Sequence, residues 1–187
     1  MILFIDACMR KESRTKRLAE ACLKCLDGEI CHLKLEECSF PLLDGELLEK
    51  RDTLIAAGAF DHDMFAHARQ FAEADEIVIA APYWDYSFPA VLKQYIEHIN
   101  VVGITFEYTP EGVPKGLCRA HRIWYVSTAG GDWAPDQYGF GYIKALAQDY
   151  YGISDVRLIE ATGLDIIDAD VEAILQNRIK KINEEAL

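Results

Sequence analysis

No apolar run in these 187 residues approaches the roughly 20 needed to cross a bilayer. Cations are scarce: 19 Lys and Arg stand against 31 Asp and Glu, a formal net charge of −12. A field of that sign repels phosphate backbones and anionic lipid surfaces, which argues against nucleic acid and membrane as partners. There is no internal repeat, low-complexity tract or linker, so 1–187 reads as one domain, long enough to bury a core without staples. The start, Ile2-Leu3-Phe4-Ile5, carries neither a basic leader nor a cleavage pattern, and the expected location is cytoplasmic. The thiols lack the repeated short spacing of a metal site, and no metal is expected.

Six cysteines lie at 8, 22, 25, 31, 38 and 118. With nothing pointing to export, they are expected to be reduced. Cys22-Leu23-Lys24-Cys25 has CxxC spacing, but redox pairs sit at a strand-to-helix junction. This pair falls in mid-helix and continues an apolar stripe begun by Leu18, so both thiols read as small buried hydrophobes.

What is present is a regular alternation of short apolar runs and amphipathic helices. Strands are expected at 2–7, 29–35, 76–81, 123–127 and 156–161. Helices are expected around Leu18 to Leu26, from Asp63 to Ala74, after Pro89, over 136–151 and along Val171 to Ile182. Residues 36–60 are less regular, with Phe40-Pro41 and Asp44-Gly45 marking turns. Five strands separated by helices give an α/β fold, a five-stranded parallel sheet with helices on both faces. Ligands of such sheets bind beyond the carboxyl ends of the strands, which selects three loops.

The first, Cys8 to Thr15, contains no glycine and matches neither GxGxxG nor GxxxxGK[ST]. The Ser13 and Thr15 hydroxyls and the free N–H groups of a helix start still suit a phosphate monoester, with Arg10 or Arg14 adding charge. The competing reading makes Ser13 a plain N-cap. The second loop, Pro82-Tyr83-Trp84-Asp85-Tyr86-Ser87, carries three aromatics in four residues. They suit an apolar wall for a planar ligand, or a subunit contact. The third, Ser127-Thr128-Ala129-Gly130-Gly131-Asp132-Trp133, has tandem glycines that let N–H groups converge on a ligand edge. Phosphate, aromatic and glycine loops together fit a planar heterocycle bearing one phosphate, which is FMN.

The sequence resembles the FMN-dependent NAD(P)H oxidoreductases of flavodoxin-like fold, the NADH azoreductase and quinone reductase type. The markers are Ser13-Arg14-Thr15 with Leu18, Pro41-Leu42-Leu43-Asp44-Gly45-Glu46, Ala81-Pro82 through Tyr86 with Leu92-Lys93, Gly103 to Thr109, and Gly116-Leu117. The resemblance implies strand order 2-1-3-4-5 and cofactor contacts from Ser13, Thr15, Tyr83, Trp84, Asp85, Tyr86, Thr128, Gly130 and Gly131, to which the loop reading adds Arg10, Pro82 and Ser127. It implies hydride transfer from NADH or NADPH through flavin N5 to a quinone, azo compound or similar small electron acceptor. A substrate pocket would include Phe106, Tyr108 and Trp133, with Tyr108 or Tyr138 as proton donor and a homodimer as the assembly. The family usually has Met-Tyr-Asn-Phe where this chain has Tyr83-Trp84-Asp85-Tyr86, so the acceptor pocket is expected to be reshaped.

Three other readings compete. Cys8-(x5)-Arg14-Thr15 has the spacing of a low-molecular-weight tyrosine phosphatase, without its glycines or its Asp-Pro acid. A flavodoxin acting purely as an electron carrier would suit the acidic surface. Asp61-His62-Asp63 with His67 offers a weak metal pattern. Finally, Arg10, Lys11, Arg14, Lys16 and Arg17 against Glu12 make a local +4 in this acidic chain, where the phosphate is expected to dock.

Overall fold

The computed structural model describes residues 1–185. Its centre is a parallel sheet formed by β1 (Ile2–Asp6), β2 (Ile30–Lys34), β3 (Glu76–Ala80), β6 (Arg122–Thr128) and β7 (Asp155–Ala161), in the order β2-β1-β3-β6-β7. This is the expected 2-1-3-4-5, since β4 (Phe106–Tyr108) and β5 (Pro114–Gly116) form a separate antiparallel hairpin. β1 and β3 are buried along their whole length, apolar but for Asp6 and Glu76 at their ends, as strands covered on both faces must be.

Between the strands run α1 (Arg14–Leu23), α2 (Gly45–Ala56), α3 (Ala66–Glu73), α4 (Ala90–Ile99), α5 (Phe140–Leu146) and α6 (Val171–Glu185). Alternate side chains of each strand feed two cores. Leu3, Ile5, Ile77, Ile79, Ile123 and Tyr125 pack with α3, α4 and α5 on one face. Ile2, Phe4, Val78, Trp124, Val126 and Ile159 pack with α1 and α6 on the other. The period-2 alternation of a strand makes both possible at once.

Three expectations need correction. Residues 36–60 are not irregular throughout, because α2 occupies twelve of them, capped by Asp44, which accepts from Leu47 N at 2.9 Å. The helix expected over 136–151 begins only at Phe140, and its last turn, Ala147–Tyr151, widens to a π-helix ended by Gly152. Cys22 and Cys25 are not in mid-helix: α1 ends at Leu23, leaving Cys22 fully buried and Cys25 just past the end. The hairpin is held against the π-turn, where a methyl at Gly116 would overlap the Tyr151 carbonyl. No described helix is long and apolar enough to cross a membrane.

Candidate functional site

Four loops leave the carboxyl ends of the strands and enclose a cleft of about 240 Å³. Three of them are those singled out by the sequence. The fourth, Gly163-Leu164-Asp165 after β7, is new.

Side chains and backbone tie the loops together in pairs. Thr15, in the first turn of α1, shares a hydrogen bond of 2.6 Å with Thr128 at the end of β6, both hydroxyls buried. Tyr83 N donates to Thr128 O at 3.0 Å, so the aromatic loop extends the β3–β6 pairing. Gly163 N, Leu164 N and Asp165 N donate to Gly131 O, Ala129 O and Gly130 O, strapping the fourth loop to the third. The Asp165 carboxylate then crosses to the first loop and meets Arg14 Nη1 at 2.6 Å, while Arg14 also donates to Leu164 O at 3.1 Å. A methyl at Gly130 would displace that carboxylate.

The first loop is shaped from below. Asp6, at the end of β1, is 3% exposed and accepts from Cys8 N at 3.0 Å. Lys16 Nζ lies 2.9 Å away and His32 Nε2 3.2 Å. Burial pushes the Asp6 carboxyl up, but Lys16, Cys8 and His32 outweigh it and hold it below the ordinary aspartate range. Ser13 is the N-cap of α1, accepting from Lys16 N at 3.2 Å, so the plain reading of its hydroxyl holds in this structure. The Arg14 and Thr15 N–H groups open the helix with no acceptor inside it, and Ser13, Arg14 and Thr15 all line the cleft.

Across the cleft, Tyr83 and Trp84 form the wall with Pro82. Trp84 and Ser87 exchange backbone hydrogen bonds of 3.1 and 2.8 Å around Asp85 and Tyr86, whose φ angles are +49° and +70°. Two positive values in a two-residue hairpin are the type I′ arrangement, normally filled by Asn-Gly. The turn lifts the Tyr86 ring against Trp133 at 5.5 Å and Tyr138 at 6.3 Å. Tyr86, Trp133 and Tyr138 are all largely exposed, and with Trp84 they make an aromatic surface beside the cleft.

The residues named from sequence therefore divide. Arg10, Ser13, Thr15, Pro82, Tyr83, Trp84, Thr128 and Gly130 line the cleft together. Asp85, Tyr86, Trp133 and Tyr138 stand at its rim, and Gly131 is taken up by the strap. Ser127 lies beneath, its Oγ buried without a hydrogen-bond partner. Phe106 and Tyr108 sit on the β4–β5 hairpin instead. Phe106 is buried against Tyr150 at 4.8 Å, and Tyr108, 50% exposed, packs edge-on against Phe106. A hydrogen bond with Tyr150 pushes the Tyr108 phenol up. The basic island is also less free than its composition implies. Arg14 pairs with Asp165, Lys16 with Asp6, and Arg17 with Glu172 at 2.9 Å.

Missed altogether were Leu164 and Asp165. A strand followed by Thr-Gly at the carboxyl edge was the available signal, since such a loop must pass the same rim as the others.

The phosphatase alternative fails on geometry. Cys8 Sγ is buried and points to Ala80 O at 3.7 Å, and burial pushes its thiol up to about 12, far from a thiolate nucleophile. The metal alternative gains nothing either: His62 caps a short turn through Met64 N, and no group of three potential ligands converges among the described residues.

Comparison with known proteins agrees with this architecture. The pattern of the flavodoxin-like fold family matches residues 1–186. The chain is 44% identical over 131 residues to FMN-dependent NADH:quinone oxidoreductase 2 of Clostridium acetobutylicum. That match covers 67% of this chain and 64% of the relative, so it spans a little under two thirds of the relative's length. It is 34% identical over 184 residues to the FMN-dependent NADH:quinone oxidoreductase of Coprothermobacter proteolyticus, covering 93% of this chain and 90% of that one. The azoreductase from Bacillus anthracis superimposes with a TM-score of 0.84 at 23% identity, covering 99% of this chain and 97% of the other, a likeness of fold.

Proposed function

The chain belongs to the flavodoxin-like fold family, and from that premise we propose that it is an FMN-dependent oxidoreductase, passing reducing equivalents from NADH to a quinone or similar small acceptor. One observation carries the proposal. A single cleft is lined both by the first turn of α1 with Thr15 and Thr128 and by Pro82, Tyr83 and Trp84.

The donor set fits the cofactor. The open first turn of α1, the Ser13 and Thr15 hydroxyls and the Arg10 guanidinium offer a phosphate neutral donors and one cation. Tyr83 and Trp84 offer a flat apolar face for a heterocycle. The Gly130 loop, which lines the cleft, would supply backbone N–H groups to its edge. Bound FMN supplies hydride acceptance from a reduced nicotinamide and its return to an acceptor. The protein's own part is to orient the ring and shield one face of it. The exposed rings of Tyr86, Trp133 and Tyr138 lie where a planar acceptor would stack.

The finer reading includes a homodimer and a cytoplasmic location. The aromatic surface beside the cleft supports the dimer, being of the kind that subunit contacts cover. A monomer by light scattering that retains full activity removes it.

The main reading is tested by colour. Protein reconstituted with FMN should retain a flavin absorbance band through desalting, and NADH added anaerobically should bleach it. Protein that stays colourless with excess FMN ends the proposal.

A further inference from the structure

The cleft wall carries two cations, Arg10 and Arg14, and two carboxylates, Glu12 and Asp165. Asp165 is bonded to the cation nearest the helix start. Its Oδ1 meets Arg14 Nη1 at 2.6 Å, and its other oxygen lies against Gly130. The placement is fixed by backbone rather than by the ion pair alone, because Asp165 N donates to Gly130 O at 2.9 Å and Leu164 N to Ala129 O at 3.2 Å. The fold therefore delivers a fixed negative charge into a site built for a negative ligand. Asp6 and Glu172 neutralise Lys16 and Arg17 as well, but neither carboxylate lines the cleft.

We propose that Asp165 is an internal counter-anion, a specificity-determining residue that occupies Arg14 and sets how strongly the cleft binds a phosphate. This rests on the flavin reading and deepens it by assigning the phosphate end. With Arg14 engaged, a bound phosphate is held by N–H groups, hydroxyls and Arg10, and its affinity depends weakly on salt. Arg14 and Asp165 are both partly exposed, so the pair is weak enough for its removal to be felt as affinity rather than as unfolding.

The test compares FMN with riboflavin, which has the same ring and no phosphate, by quenching of flavin fluorescence on the full chain. Asp165→Asn keeps the backbone strap and releases Arg14. It should tighten FMN by about three- to tenfold at low salt, as one freed Arg–phosphate contact at a partly exposed site predicts. Riboflavin affinity should not change, and the gain for FMN should shrink as NaCl is raised. Arg14→Gln in the Asp165→Asn background should return FMN affinity to near the wild-type value. Equal affinities for FMN in wild type and Asp165→Asn overturn the proposal. So does parallel weakening of FMN and riboflavin, which would make Asp165 a brace for the Gly130 loop. Wild-type protein that quenches neither flavin overturns the flavin reading, and the counter-anion with it.

Discussion

The Thr15–Thr128 contact allows binding and stability to be separated quantitatively. Both side chains are buried, at 1% and 9% exposure, and their hydroxyls lie 2.6 Å apart. Thr15→Val is nearly isosteric but leaves the Thr128 hydroxyl without its partner. Leaving one buried polar group unsatisfied costs about 1–3 kcal/mol. For a chain of this length, each kcal/mol shifts the melting temperature by roughly 2–4 °C. Either single variant should therefore melt several degrees lower. The double variant Thr15→Val, Thr128→Val removes both partners and leaves nothing stranded, so its loss should fall clearly short of the sum. Urea unfolding followed by tryptophan fluorescence gives the cycle, provided the denaturant slope is unchanged. FMN affinity should behave differently, falling in each single variant and furthest in the double. Strictly additive stability losses would refute the reasoning, as would a double variant that binds FMN like wild type.

Other expectations follow from particular contacts. Gly116→Ala forces a methyl onto the Tyr151 carbonyl and Gly152 N, backbone that cannot swing aside, and should cost about 1–3 kcal/mol in thermal unfolding; an unchanged melting temperature would contradict the packing. The lowered Asp6 carboxyl contributes stability above its ordinary value of 3.8 that is lost as pH falls through its lower folded value. The gap in urea midpoint between wild type and Asp6→Asn should thus narrow as pH is taken from about 5 towards 2, and a constant gap would remove Asp6 from the acid limb. Burial pushes the Cys8, Cys22 and Cys118 thiols up to about 12. Native alkylation near pH 8, read by peptide mass spectrometry, should spare those three, and prompt labelling of Cys8 would reopen its case as a nucleophile.

How much of this was legible depended on burial. β1 and β3 are solid apolar runs, and with them the sheet and its three loop positions could be read directly. α2 was passed over, because none of its twelve residues is fully buried and its apolar face, Leu47, Leu48, Leu54 and Ile55, is interrupted by Arg51. A second signal was Asp44 three residues before Leu47, a capping geometry in a stretch otherwise read as turn. The hairpin strands are three residues each, too short for alternation to register. Within the site, Thr15 and Thr128 were found separately by loop position, whereas their mutual contact across 113 residues is purely tertiary. Asp165 lay hidden for a related reason: nothing in Gly163-Leu164-Asp165 suggests chemistry until the strap brings it to Gly130 and Arg14. The charge island misled in the opposite sense, since composition counts cations without their carboxylate partners.

The turn at Asp85 and Tyr86 has an implication for how this sequence has been shaped. Holding a tyrosine in left-handed backbone conformation costs of order 1 kcal/mol or more, which glycine in the same position would avoid. A chain selected for stability alone would have drifted to Asn-Gly here, by a pair of substitutions touching no core residue. What such a drift discards is one ring, lifted into contact with Trp133 and Tyr138 at the rim. The protein is thus locally less stable than it has to be at the point where its aromatic surface is assembled. That deficit measures what the placement of a single side chain is worth to it.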